Sequence, residues 1–182
     1  MPSVFPGYVP PANLVIDAGV LYTGTVEPDT PVGTTRDGAA FDHGMDVRQV
    51  PYDGGHARYQ GLDRIIDWKP TLKAKFLTVT PDIIALFNPG SVADAGSPIN
   101  TITFKNAGQL FQTADYGVNL WLIGRQQVDG TLVRIHFPLF IATKHSIATK
   151  HNDEWLNDAT LEPVLPAGSD PQLCPFFFEF LS

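Results

Sequence analysis

The chain has a single cysteine, Cys174, in 182 residues. One thiol cannot close a disulfide within the chain, so no cysteine framework is expected to hold the fold. Charge is also scarce. Only 17% of residues are charged, and the formal net charge is −7. Nucleic-acid readers generally carry a basic footprint, so this balance argues against a phosphate-binding surface. No apolar run reaches the roughly 18 residues from which a membrane-spanning helix is read, so no membrane partner is expected. The opening stretch MPSVFPGYVPPAN has neither an early positive charge nor a long apolar run, and no secretory signal is read there. There is no G-x-S-x-G elbow, no P-loop and no dinucleotide fingerprint. With none of these, neither an enzyme nor a bound cofactor is expected.

Turn formers and extended segments are abundant. Sixteen glycines and sixteen prolines imply many turns, and a hydrophobic content of 43% supports a sizeable core. One domain over residues 1–182 is expected. Residues 1–12 are proline-rich and read as an arm. Residues 13–22 read as a strand. Residues 23–44, rich in Gly, Pro, Asp and Thr, read as a long loop of the kind that usually has a role. Residues 46–52 form a strand, with a turn at Asp53-Gly54-Gly55. Residues 62–79 are one bent strand or two strands broken at Pro70. The alternation of Leu72, Ala74 and Phe76 with Lys73 and Lys75 gives that segment one apolar and one polar face.

A short helix is expected over residues 81–88. Thr80 can cap it, Pro81 suits its first position, and Asp82 favours its positive end. Ile83, Ile84 and Phe87 supply an apolar face. Asn88-Pro89-Gly90 ends it. Residues 91–100 read as a polar loop and 101–104 as a short strand. Residues 120–125 and 132–136 flank Val128-Asp129-Gly130-Thr131, a hairpin signal. Residues 157–164 and 176–181 read as the last strands.

Several residues invite chemical readings. His145, His151, Asp153 and Glu154 cluster in sequence, but their spacing matches no helix-borne zinc motif, and Lys144 and Lys150 disfavour a cation. His136 reads as a polar-face strand residue, and Cys174 as a thiol without an activating partner. Phe176, Phe177, Phe178 and Phe180 form an aromatic run. A strand apolar on both faces is expected in the middle of a core. The alternative is that one face packs on a neighbouring subunit. Trp68, Trp121 and Trp155 suit either a core or an interface.

The segments VIDAGVLYTG (15–24), TPVGTTRDGAAF (30–41), MDVRQVPYDG (45–54) and KPTLKAKFLTVTPDIIALFNPG (69–90) occur in an order that resembles the major tail tube proteins of long-tailed bacteriophages. The closing NDATLEPVLPAGSDP (157–171) is similar too. The resemblance covers most of the chain but rests on order and spacing.

It implies a mainly β fold, a sandwich or barrel-like tail-tube domain with one short flanking helix and long loops. It also implies a homo-oligomer: six copies would form a ring, and rings would stack into a tube. Phage DNA and the tape-measure protein would occupy the lumen. Tail terminator and baseplate or tip proteins would meet the tube ends. The chain would be assembled in the host cytoplasm and reside in the virion.

Within that frame, the 23–44 loop is expected to join subunits, with Val32, Gly33, Thr34, Arg36 and Phe41 as contact residues. Asp46, Arg48, Asp63, Asp67, Lys73 and Lys75 are expected to face the lumen. An anionic or neutral wall would let a polyanion slide past. Two other classes remain open: another β-rich virion component, such as a tail terminator or head decoration protein, and a β-sandwich module that binds a small ligand or carbohydrate.

Overall fold

The computed structural model describes residues 19–49, 63–77, 79–94, 101–125, 132–148 and 156–181. In chain order the strands are β1 (Val20–Thr23), β2 (Thr30–Pro31), β3 (Thr35–Asp42), β4 (Met45–Gln49), β5 (Asp63–Trp68), β6 (Thr71–Phe76), β7 (Val92–Asp94), β8 (Thr101–Thr103), β9 (Gly117–Arg125), β10 (Leu132–Ala148), β11 (Leu156–Pro163) and β12 (Phe177–Leu181). Helix α1 (Pro81–Leu86) lies between β6 and β7. No helix of the described residues is long and apolar enough to cross a membrane.

The fold is mainly β. An eight-stranded antiparallel sheet runs β2-β1-β9-β10-β11-β6-β3, with β12 added to β10. The sheet curls into a half-barrel. Strands β4 and β5 form a separate two-stranded ladder, as do β7 and β8. Of the two readings of residues 62–79, two strands broken at Pro70 is the one found: β5 and β6 end in different sheets.

Strand β10 is the spine. Along one flank it pairs with β9, from Leu132↔Arg125 to Phe140↔Gly117. Along the other it pairs first with β12, up to His136↔Phe177, and then with β11, from Phe140↔Pro163 onward. Pro138 lies where one neighbour gives way to the other. Its missing N–H therefore interrupts no ladder on that flank, which is why proline is tolerated inside a 17-residue strand.

The core follows from alternation. Leu72, Ala74 and Phe76 of β6 are buried while Lys73 and Lys75 are exposed. Leu120 and Leu122 of β9, Phe137 and Phe140 of β10 and Leu161 of β11 join them. Helix α1 closes this side through Ile83 and Phe87, and the Phe87 ring lies 4.9 Å from that of Phe76. The helix start is as expected: the Ile83 N–H donates to Thr80 Oγ1 at 3.3 Å. Gly90, at φ 70°, turns the chain after it. On the opposite face of the sheet, Tyr22, Trp121 and Ile123 form a second buried cluster, so β9 is buried on both sides.

Three expectations are corrected. The long loop over residues 23–44 is instead half strand, because β2 and β3 fall within it. Gly38, at φ 75°, lies where the β3–β6 register shifts between Thr35 and Ala39, so a bulge rather than a loop explains its glycine. The polar loop over residues 91–100 contains β7. The aromatic run is not a central strand: β12 pairs only with β10, so among the described strands it is an edge. The 1–12 arm, residues 13–18 and the turns at 53–55 and 128–131 lie outside the described residues.

Candidate assembly surface and the expected lumen residues

The β4–β5 hairpin has two unlike faces. Met45, Val47 and Gln49 pair with Trp68, Ile65 and Asp63, and these six share one face. Asp46 and Arg48 pair with Asp67 and Arg64 on the other. The register shifts between Asp46 and Val47, which leaves Ile66 as the extra residue of a bulge. Met45, Val47 and Ile65 are exposed, and Ile66 is 60% exposed. Four large apolar side chains on a ladder of eleven residues are thus left in contact with water.

This apolar face continues onto the C-terminal strand. The Trp68 ring meets that of Phe176 edge-on at 6.0 Å, and Phe176 meets Phe178 at 5.7 Å. Phe176 is buried, whereas Phe178 is exposed and Phe180 is 67% exposed. The result is an apolar strip from the hairpin, through Trp68 and Phe176, to the edge of β12 that no described strand covers. Exposed patches of this kind mark contact sites, and unpaired strand edges invite another chain.

The expected subunit-contact residues are divided. Val32 is buried in the chain's own core. The Phe41 ring packs 5.3 Å from Phe137 and 5.0 Å from Phe176. Both are anchors of the core rather than of a free loop. Thr34 is an exposed residue just before β3, where its carbonyl accepts from the Leu77 N–H at 2.9 Å. Gly33 is half-buried and Arg36 exposed.

The expected lumen residues do not form one surface. Asp46, Arg48 and Asp67 share the polar face of the hairpin, Asp63 lies on its apolar face, and Lys73 and Lys75 belong to the main sheet. They are divided between the β4–β5 ladder and the main sheet rather than carried by one sheet. Lys69 Nζ donates to Asp46 Oδ2 at 2.5 Å, and this bond, with the Asp46 charge, holds the Lys69 pKa above its ordinary value.

The histidines have structural partners. His145 lies between α1 and the sheet: its Nδ1 is 2.9 Å from Asn88 Nδ2, and its Nε2 bonds Asn157 Oδ1. Asn88 Nδ2 is a donor and also bonds the Ile84 carbonyl at 2.6 Å. Nδ1 of His145 must then accept, which leaves Nε2–H to donate to the fully buried Asn157. His151, Asp153 and Glu154 lie outside the described residues.

His136 belongs to a row of rings across four strands, Tyr22–Trp121–His136–Phe177. It stacks on Trp121 at 4.6 Å and 7°. Burial there pushes its pKa below the usual imidazole value, and Arg134 acts the same way against the pull of Glu179 and Glu27. Cys174 is half-buried against the core.

Sequence reasoning missed the apolar face of the hairpin, although Met45, Val47 and Ile65 at alternate positions carried the signal. Compared with known proteins, the sequence matches no family model and no curated protein.

Proposed function

We propose that this chain is a self-assembling structural protein, the tail tube subunit of a long-tailed bacteriophage. The observation that carries self-assembly is the exposed apolar strip from Met45, Val47, Ile65 and Ile66 to Phe178 and Phe180, beside the edge of β12, which no described strand covers. Burying such side chains contributes about 25 cal/mol per Å² of apolar area removed from water. A second copy, pairing with the β12 edge and covering the strip, satisfies unpaired backbone groups and apolar surface together. Repeated around an axis, that contact closes a ring; the resemblance in strand order and the capped helix supports the ring's place in a tail tube.

Negative-stain electron microscopy of the purified chain tests this, beside the variant Ile66→Asp, Phe180→Asp. Rings or tubes are expected from the unmodified chain. Single particles with an unchanged far-ultraviolet spectrum are expected from the variant. Equal assembly by both would remove the strip from the interface, and a virion whose tail shaft lacks this chain would overturn the tail-tube assignment.

A further inference from the structure

We propose that β12 is exchanged between copies, so that the last strand of one chain completes the β10 flank of the next. This rests on the self-assembly reading and names what the contacting copy contributes.

Strands β11 and β12 lie on one line. Both run antiparallel to β10 along the same flank. β11 follows it from Ala148 to Phe140, and the Val164 N–H then donates to the Leu139 carbonyl at 2.9 Å. β12 resumes opposite His136 and ends opposite Leu132. The gap from Leu139 to His136 is about 10 Å at the rise of a strand. The chain does not cross it directly. Residues 165–176 leave the line and come back to it. A segment of that length reaches about 40 Å when extended, about four times what the gap requires.

The excursion has the character of a hinge. From Pro166 to Leu173 it is exposed except at half-buried Ser169. Its backbone bonds there are local turns: the Ser169 N–H donates to the Pro166 carbonyl and the Leu173 N–H to the Asp170 carbonyl, both at 3.1 Å. Asp170 Oδ1 also accepts from the Gln172 N–H at 2.9 Å. None of these bonds reaches the sheet, so opening the turns costs local contacts only.

The strand beyond the hinge carries its own anchors. Phe176 is buried, with the Phe41 ring at 5.0 Å and the Trp68 ring at 6.0 Å. Glu179 meets Arg134 Nη2 at 2.7 Å, and the ladder runs from Leu132 to His136. These partners lie on β3, β5 and β10, and every copy presents them alike. Exchange therefore keeps each anchor and alters only the hinge, which is what makes it a low-cost route between protomers.

The same anchors select the occupant. A strand on a flexible tether meets its own β10 at an effective concentration on the order of millimolar. A second copy seated on the apolar strip offers the same flank, with the same Phe41, Trp68 and Arg134, at a comparable one. An unrelated protein lacks that set. The hinge then holds the donor's body beside the recipient's strip, so exchange delivers the cover that Phe178 and Phe180 lack in the single chain.

Cysteine cross-linking of the full chain tests the proposal. Val133 and Phe180 are directly opposite in the β10–β12 ladder. Such pairs have Cα atoms about 4.5–5.5 Å apart, within the span of a disulfide. One chain carries Val133→Cys and the other Phe180→Cys, each with Cys174→Ser, and the two are co-expressed and oxidised. Exchange gives a covalent dimer on a non-reducing gel. Val133→Cys with Phe180→Cys in one chain should likewise link chain to chain rather than close on itself. With Val26→Cys in place of Phe180→Cys, on an exposed loop away from the ladder, no dimer is expected. Absence of the mixed dimer, closure of the doubly substituted chain on itself, or equal linking through Val26→Cys would each overturn the proposal. Electron microscopy of the same samples separates the two failures: rings without the mixed dimer leave assembly standing and remove exchange, whereas absence of rings removes both.

Discussion

Gly117 stands opposite Phe140 in the β9–β10 ladder, and the ring lies over it. A Cβ built there would come 2.2 Å from Phe140 Cζ. Phe140 is buried in the core and cannot swing into water. Gly117→Ala is therefore expected to destabilise by about 1–3 kcal/mol, the usual cost of overpacking, read as a lower urea midpoint with unchanged slope. Nearby, His136 sets a pH dependence. Its folded pKa is depressed, so the unfolded chain takes up the proton first. Its contribution should be complete above the ordinary value of 6.5 and be lost progressively as pH falls below it. Urea midpoints measured from pH 7.5 down to 5 should drop, and His136→Gln should flatten that part of the curve.

Helix α1 shows how a short element is held by few contacts. Six residues cannot sustain a helix alone, so the Thr80 cap and the His145 bridge carry it. Thr80→Ala should cost about 1 kcal/mol. Asn157→Ala strands the His145 Nε2–H in the interior and should cost about 1–3 kcal/mol, with amide exchange accelerating over α1 before the sheet is affected.

This helix was legible because cap, proline and stop signals are local chemistry. So were β6, whose alternation matched its burial, and the β9–β10 pairing around 128–131. Strand β3 was not legible, because its glycine and bulge break the two-residue period on which strand recognition rests. Its correction reverses an expectation: deleting residues 30–42 should unfold the chain rather than trim a surface loop, since Val32 and Phe41 pack in the core. A melting curve of that deletion checks it. The apolar run at β12 was visible as apolar; sequence alone does not say whether its partner is the same chain or another copy. The candidate surfaces were legible only in part. Lys73 and Lys75 stood out by alternation, but Lys144 joins them through a pairing some seventy residues away.

At the scale of the molecule, surface character is divided. The hairpin and β12 offer an apolar strip, while the outer face of β6 and β11 mixes Lys73, Lys75 and Lys144 with Asp158 and Glu162. Ile66→Asp with Phe180→Asp should reduce oligomer size by sedimentation while leaving the far-ultraviolet spectrum unchanged, because both side chains are exposed in the single chain. The pairing pattern also has a kinetic consequence. Val20 meets Ile123 across about a hundred residues, and Leu132 meets Leu181 across about fifty. Contacts so distant along the chain form late, and sheets dominated by them fold in milliseconds to seconds rather than microseconds. Through that interval the strand that will receive β12 waits with an open flank beside the phenylalanines. Newly made chains at high concentration would then meet one another before each had closed on itself, so the flank of β10 that β12 later covers is where misassembly would begin.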